Sequence, residues 1–237
     1  MRIVPDMANL KTFGKPQANH LLTQDCLLCG AASQDILCPD CADDLPRLPE
    51  RRCPRCALPT SQGETCGKCL TAPPHFDETR VAFRYGFPVD KLIQSFKYGH
   101  RLALGHYFGR QLARLVQTIS ADLVIPLPLH PDRLRSRGFN QALELARPVA
   151  KALACPLDAS LCQRIRNTQA QADLPWKARR QNIRHAFHCV KDLSGQRIVL
   201  VDDVMTTGAS LDECARTLRL HGAASIVLLV VARTLPE

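Results

Sequence analysis

Eight of the twelve cysteines fall in four Cys-x-x-Cys pairs: Cys26/Cys29, Cys38/Cys41, Cys53/Cys56 and Cys66/Cys69. No other feature restricts the fold of this chain so tightly. A two-residue gap lets both thiolates of a tight turn face one tetrahedral metal, and two such turns complete a four-sulfur zinc site. Gly30, Pro39, Pro54 and Gly67 accompany the pairs, as turns require. Cys26 to Cys53 is 27 residues and Cys38 to Cys66 is 28, the mark of a tandem repeat. The repeat assigns one zinc to Cys26, Cys29, Cys38 and Cys41, and a second to Cys53, Cys56, Cys66 and Cys69. An interleaved pairing stays open, because zinc ribbons often separate their turns by roughly 15–20 residues. Disulfides would need an oxidising compartment, to which nothing in the sequence points. A redox dithiol would use one pair rather than four. Four thiolates leave no open coordination position, so both zincs are expected to be structural, and so short a segment should depend on them to fold.

The net charge of +9 is unevenly distributed. Residues 80–190 hold 18 Lys and Arg against 6 Asp and Glu, whereas residues 1–79 hold 8 against 10. An anionic partner, phosphate ligand or nucleic acid, suits that middle segment; a solvated basic face is the plainer alternative. Two zinc tetrathiolates would lower the total to about +5. The longest apolar run, Ile226 to Ala232, is far short of the ~20 residues that span a bilayer, so no membrane insertion is expected. Residues 1–24 lack the apolar core of a secretory signal and read as a disordered tail, which makes the cytoplasm the expected compartment. Cys155, Cys162, Cys189 and Cys214 are scattered and read as small apolar residues.

The cysteine-rich module spans residues 25–75. From Thr79 onward, through residues 79–237, α and β signals alternate. Arg80 to Tyr85, Leu123 to Ile125, Arg197 to Val201 and Ile226 to Ala232 read as strands. Leu104, Phe108, Leu112, Leu115, Val116 and Ile119 recur at helical spacing, as do Ala142, Leu145, Ala146, Val149 and Leu153. Leu211, Cys214, Ala215 and Leu218 share another helix face, which Gly222 ends. The alternation predicts an α/β fold with a mostly parallel sheet flanked by helices. Ligands of such sheets lie beyond the carboxyl ends of the strands.

Three segments stand there. In the first, Asp202 and Asp203 end an apolar strand, and Thr206, Thr207, Gly208, Ala209 and Ser210 then open a helix. Helix-terminal amides with added hydroxyls suit a phosphate, and the acids suit ribose hydroxyls or a water-bridged Mg²⁺. Simple capping of the helix by Asp203 or Thr207 is the competing explanation. In the second, Pro126-Leu127-Pro128 leads into a loop with Arg133, Arg135 and Arg137, then Gly138-Phe139-Asn140-Gln141; Arg133 and Arg137 are candidates for a pyrophosphate. The third, Arg164 to Arg184, holds six basic residues, one acid and Trp176, which could stack on a base of single-stranded DNA or simply pack.

The string from Ile198 through Ser210 resembles the phosphoribosyl-pyrophosphate loop of type I phosphoribosyltransferases. That resemblance implies that Thr206 to Ser210 hold the 5-phosphate and Asp202 and Asp203 the ribose, with Mg²⁺. The chain as a whole, from Cys26 to Arg233, is similar to the ComF family of competence proteins. The similarity rests on the Pro126-Leu127-Pro128 strand end, Arg137-Gly138-Phe139-Asn140-Gln141, Phe96-Lys97-Tyr98-Gly99, Gln163-Arg164 through Gln171, and the paired cysteines. Ser210 stands where Thr is common and keeps the hydroxyl. By this resemblance the larger domain is type I phosphoribosyltransferase-like and the front a double zinc ribbon. Arg164, Arg166, Arg179 and Arg180 then become candidates to meet phosphates, and Lys97 and Tyr98 to shape the mouth of an acceptor pocket. The implied ligand is phosphoribosyl pyrophosphate or a related sugar phosphate, and the implied partners are single-stranded DNA and competence proteins. The implied roles are phosphoribosyl transfer, or DNA binding without catalysis on the same fold.

Overall fold

A computed structural model describes residues 23–99, 101–167 and 183–236. The described residues form two compact units, divided between Ala42 and Asp43. In the first, strands β1 (Gln24–Asp25) and β2 (Ala32–Ser33) pair antiparallel around the first cysteine turn. Gly30, at φ +75°, closes that turn by donating to the Cys26 carbonyl at 2.9 Å, while the Cys26 amide donates to Ala31 at 2.8 Å. Helix α1 (Pro39–Asp43) begins right after Cys38 and carries Cys41.

The larger unit begins with a copy of this arrangement. Ala57 donates to the Cys53 carbonyl at 2.9 Å, Cys53 donates to Leu58 at 2.8 Å, and Ala57 takes the left-handed φ of +58°. Ala57 thus repeats Gly30 at the sequence offset of the cysteines. Helix α2 (Gly67–Thr71) likewise repeats α1. Contacts do not divide at the expected boundary between residues 75 and 79. Cys53, Cys56, Ala57 and Cys69 share one apolar cluster with Phe76, Val81, Leu200, Met205 and Leu228, because so short a ribbon lacks a core of its own.

The central sheet has four strands, all parallel: β3 (Glu78–Arg84), β4 (Leu123–Pro126), β7 (Arg197–Met205) and β8 (Ser225–Arg233), in the order β3-β8-β7-β4. Strands β5 (Cys162–Arg164) and β6 (Phe187–Cys189) form a separate antiparallel ribbon. Around the sheet lie α3 (Val89–Tyr98), α4 (Leu102–Arg114), α5 (Pro131–Arg137), α6 (Gln141–Leu153) and α7 (Ala209–Leu220). The apolar runs predicted as strands are buried on both faces, as a sheet covered twice requires. Ile198 and Leu200 face a core with Leu211, Cys214 and Leu218 of α7. By the two-residue period, Val199 and Val201 point to the other face, where α4 and α6 pack.

Two boundaries differ from the sequence reading. Helix α4 ends at Arg114, short of Leu115, Val116 and Ile119, which lie in the segment that follows. Strand β7 runs on to Met205, so Asp202 and Asp203 lie within it rather than ending it. Pairing with β8, out to Met205 opposite Arg233, overrides the poor strand propensity of two acids.

Candidate functional site

The carboxyl ends of β4 and β7 open into a cleft of about 940 Å³, a size suited to a small ligand. Asp202, Asp203, Thr206 and Ser210 line it together with Arg133, Arg137 and Arg164, so residues far apart in sequence converge on one cavity. Five cations, Lys97, Arg133, Arg137, Arg164 and Arg233, surround the two acids. Leu58, Tyr85, Ile93, Leu127 and Leu129 add apolar surface to the lining.

Alternation along β7 sends the two acids to opposite faces of the strand. Asp203 is buried and accepts an ion pair from Lys97 Nζ at 2.9 Å. Burial alone would lower the Lys97 pKa, but the charges of Asp203 and Asp202 outweigh it, and the net shift is upward. Asp202 has no such direct partner among the ion pairs of the described residues. Burial, then the neighbouring Asp203, push it up to about 7, against the pull of Lys97 and Arg164. Arg164, at the end of β5, is lowered by burial and by Arg133 to about 10, and stays charged at neutral pH.

Helix α5 and the turn after it hold the basic rim. His130 caps α5 by accepting from the Asp132 amide at 3.2 Å, and Gly138 ends the helix at φ +81°. Arg137 donates to Gln141 Oε1 at 2.8 Å and lies over the Tyr98 ring at 5.2 Å. Asn140 caps α6 through the Ala142 amide at 3.0 Å and donates to the Leu127 carbonyl at 3.2 Å, fastening this turn to the end of β4. Lys97 and Tyr98 both line the cleft.

The hydroxyl-rich bend divides. Thr206 and Ser210 face the cleft, whereas Thr207, Gly208 and Ala209 line a small cavity beside Cys56 and Cys69. Thr207 Oγ1 accepts from the Ala209 amide at 3.2 Å in a local hydroxyl turn, while Gly208 occupies the N-cap position of α7, so neither Asp203 nor Thr207 caps the helix with its side chain. Gly208 is required where it stands: its φ is +81°, and a Cβ there would lie 2.7 Å from Met205 Cε. Arg166 donates to the Arg184 carbonyl at 2.5 Å. Arg179, Arg180 and Trp176 lie outside the described residues.

Sequence reasoning missed Arg233 and Leu58. Arg233 is 2% exposed and donates to the carbonyls of Cys56 at 3.0 Å, Met205 at 2.9 Å and Thr234 at 2.7 Å, and to that of Thr206. Its one visible signal is a lone cation ending an apolar strand.

The sulfurs of Cys26, Cys29, Cys38 and Cys41 lie within 4.8 Å of one another, as do those of Cys53, Cys56, Cys66 and Cys69. The sequential pairing holds. Cys29 to Cys38 and Cys56 to Cys66 are each 3.6 Å, near the ~3.8 Å edge of a zinc–sulfur tetrahedron with 2.3 Å bonds. Each cluster wants a cation. Burial opposes ionisation of Cys26, yet amides led by that of Cys38 hold it at about 6, while the Cys29 sulfur drives Cys41 upward. In the second cluster burial again opposes ionisation, and the Cys66 amide leads those that bring Cys53 to about 7; burial and Cys56 drive Cys69 upward.

Comparison with known proteins agrees with both parts. Residues 18–70 match the double zinc ribbon domain, and residues 140–235 match the phosphoribosyl transferase domain. The chain is 33% identical over 199 residues to DNA utilization protein YhgH of Escherichia coli O157:H7, covering 80% of this chain and 87% of that one. It is 31% identical over 212 residues to Competence protein F of Haemophilus influenzae, covering 83% and 90%. Among solved structures it is similar to a purine phosphoribosyltransferase from Pyrococcus horikoshii Ot3, at 18% identity and a TM-score of 0.36 over 54% of this chain and 71% of that one. That likeness is too loose to bear weight. No helix among the described residues is long and apolar enough to cross a membrane. The sheet, the paired cysteine clusters and the extended similarity agree: the chain belongs to the ComF family of competence proteins, in which a double zinc ribbon precedes a phosphoribosyltransferase-type domain.

Proposed function

We propose that the cleft binds phosphoribosyl pyrophosphate, or a closely related sugar phosphate, together with Mg²⁺. One observation carries the reading: two acids, two hydroxyl residues and five cations line a single cavity at the carboxyl end of a parallel sheet. Thr206 and Ser210, with the amides that open α7, receive the 5-phosphate. Asp202 and Asp203 accept from the ribose hydroxyls. Arg133, Arg137 and Arg164 hold the pyrophosphate, with Arg179 a further candidate from the sequence. Asp202 and Asp203 would hold Mg²⁺, which would supply charge neutralisation for a departing pyrophosphate. The acid pair offers it oxygen donors of the right kind, and the ligand would complete its shell. The apolar part of the lining and the volume of the cleft would accommodate an acceptor, which makes pentosyl transfer the reaction this cleft would support.

Calorimetry with phosphoribosyl pyrophosphate and Mg²⁺ tests the reading on wild type and on Asp202→Asn/Asp203→Asn. Mg²⁺-dependent heat in the first and none in the second is expected. Equal affinity in both would end the proposal.

A second reading is favoured by the excess of 18 Lys and Arg over 6 Asp and Glu in residues 80–190, and by relatives named for DNA utilization and competence. In it the chain holds single-stranded DNA, with competence proteins as partners, on a surface apart from the acids. Oligonucleotide affinity that falls steeply with salt and ignores Asp202→Asn/Asp203→Asn is its signature.

A further inference from the structure

The second cysteine cluster does more than stiffen a ribbon: we propose that it positions the ligand loop, through Arg233. The carbonyl of Cys56, a ligand of the second site, accepts from Arg233 Nε at 3.0 Å. Nη1 of the same side chain donates to the Met205 carbonyl at 2.9 Å and to that of Thr206, the residues that lead from β7 into the hydroxyl-rich bend. One planar guanidinium, 2% exposed, therefore joins the metal turn to the loop. Its rigid fork fixes direction as well as distance, which an ammonium would not.

The coupling has three further supports. The carbonyls of Pro54 and Arg55 both accept from Thr79 of β3, the amide reaching Pro54 at 2.9 Å, so the metal turn is docked on the sheet along its length. Leu58, the residue just beyond this turn, forms a wall of the ligand cleft. Thr207, Gly208 and Ala209 line a cavity whose other side is Cys56, Leu58 and Cys69. Losing the metal frees Cys56 and the turn behind it. The Arg233 fork then loses one anchor, and the Met205 and Thr206 carbonyls lose their fixed donor.

The inference rests on the sugar-phosphate reading for its functional consequence, but not for its structural one. The experiment uses full-length, zinc-loaded protein with Cys69→Ser, Arg233→Met and Arg233→Lys. Zinc content, hydrogen–deuterium exchange of residues 204–210, and calorimetry with phosphoribosyl pyrophosphate and Mg²⁺ are measured together. Cys69→Ser is expected to lose one zinc, exchange residues 204–210 about tenfold faster, and bind about tenfold more weakly, as loss of a charge-assisted hydrogen bond implies. Arg233→Met is expected to keep both zincs and show the same loosening, and Arg233→Lys to recover part of it. Should Cys69→Ser fail to fold, Arg233→Met still decides. Loosened exchange without ligand binding by wild type would reject the sugar-phosphate reading and keep the coupling. Wild-type exchange at 204–210 in Arg233→Met would overturn the coupling, even if affinity fell.

Discussion

Replacing Asp202 with Asn should stabilise the ligand-free protein, and more so as the pH rises. Asp202 is pushed up to about 7 by burial and by Asp203, whereas an unperturbed aspartate titrates near 3.9. The folded chain therefore keeps this proton across a range in which the unfolded chain has lost it. Stability falls as pH rises from about 4 to about 7, then levels off. Roughly three pH units at 1.36 kcal/mol each set an upper bound near 4 kcal/mol. Because Asp203, Lys97 and Arg164 share the field, about half of that, ~2 kcal/mol at pH 8, is a fair expectation for Asp202→Asn. The same linkage widens the gap between variant and wild type by about 1 kcal/mol from pH 6 to pH 8. Urea unfolding in zinc-buffered solution at pH 6, 7 and 8 would measure it. A gap that stays constant or narrows with pH, or a variant less stable than wild type at pH 8, refutes the reasoning. A gain in stability coupled to loss of the ligand is the expected behaviour of a group held in an unfavourable site for function.

Lys97→Met should destabilise by about 3 kcal/mol, because it leaves the buried Asp203 charge without its 2.9 Å partner. Adding Asp203→Asn should return much of that loss in a double-mutant cycle, and simple additivity would argue against the pair. At the other end of the scale, Ala154 caps α6 in the left-handed conformation at φ +50° and is exposed. Ala154→Gly should gain about 0.5–1 kcal/mol in thermal or urea unfolding, and a loss would show that the cap is unstrained.

The sequence was most legible where chemistry is local. Cysteine spacing named all eight sulfur ligands, and the repeat offset paired them as the structure does. Apolar periodicity located the four sheet strands and the helices that cover them, since burial of one helix face or two sheet faces writes a period directly into the chain. The bend from Asp202 to Ser210 was legible as a segment, but not which of its side chains face the cleft. Thr207, Gly208 and Ala209 turn toward the metal side because β7 continues to Met205 and shifts the point at which the chain bends.

Spacing along the chain thus determined the metal ligands, the α/β alternation and the segments that gather at the strand ends. Tertiary structure alone decided that Lys97 would neutralise Asp203, that Arg233 would join Cys56 to the bend, and that the second ribbon would share its core with the sheet. The reason is physical. Period and spacing report interactions within a few turns of chain, whereas a buried ion pair or a guanidinium shared among distant carbonyls depends on which elements the sheet order β3-β8-β7-β4 brings side by side.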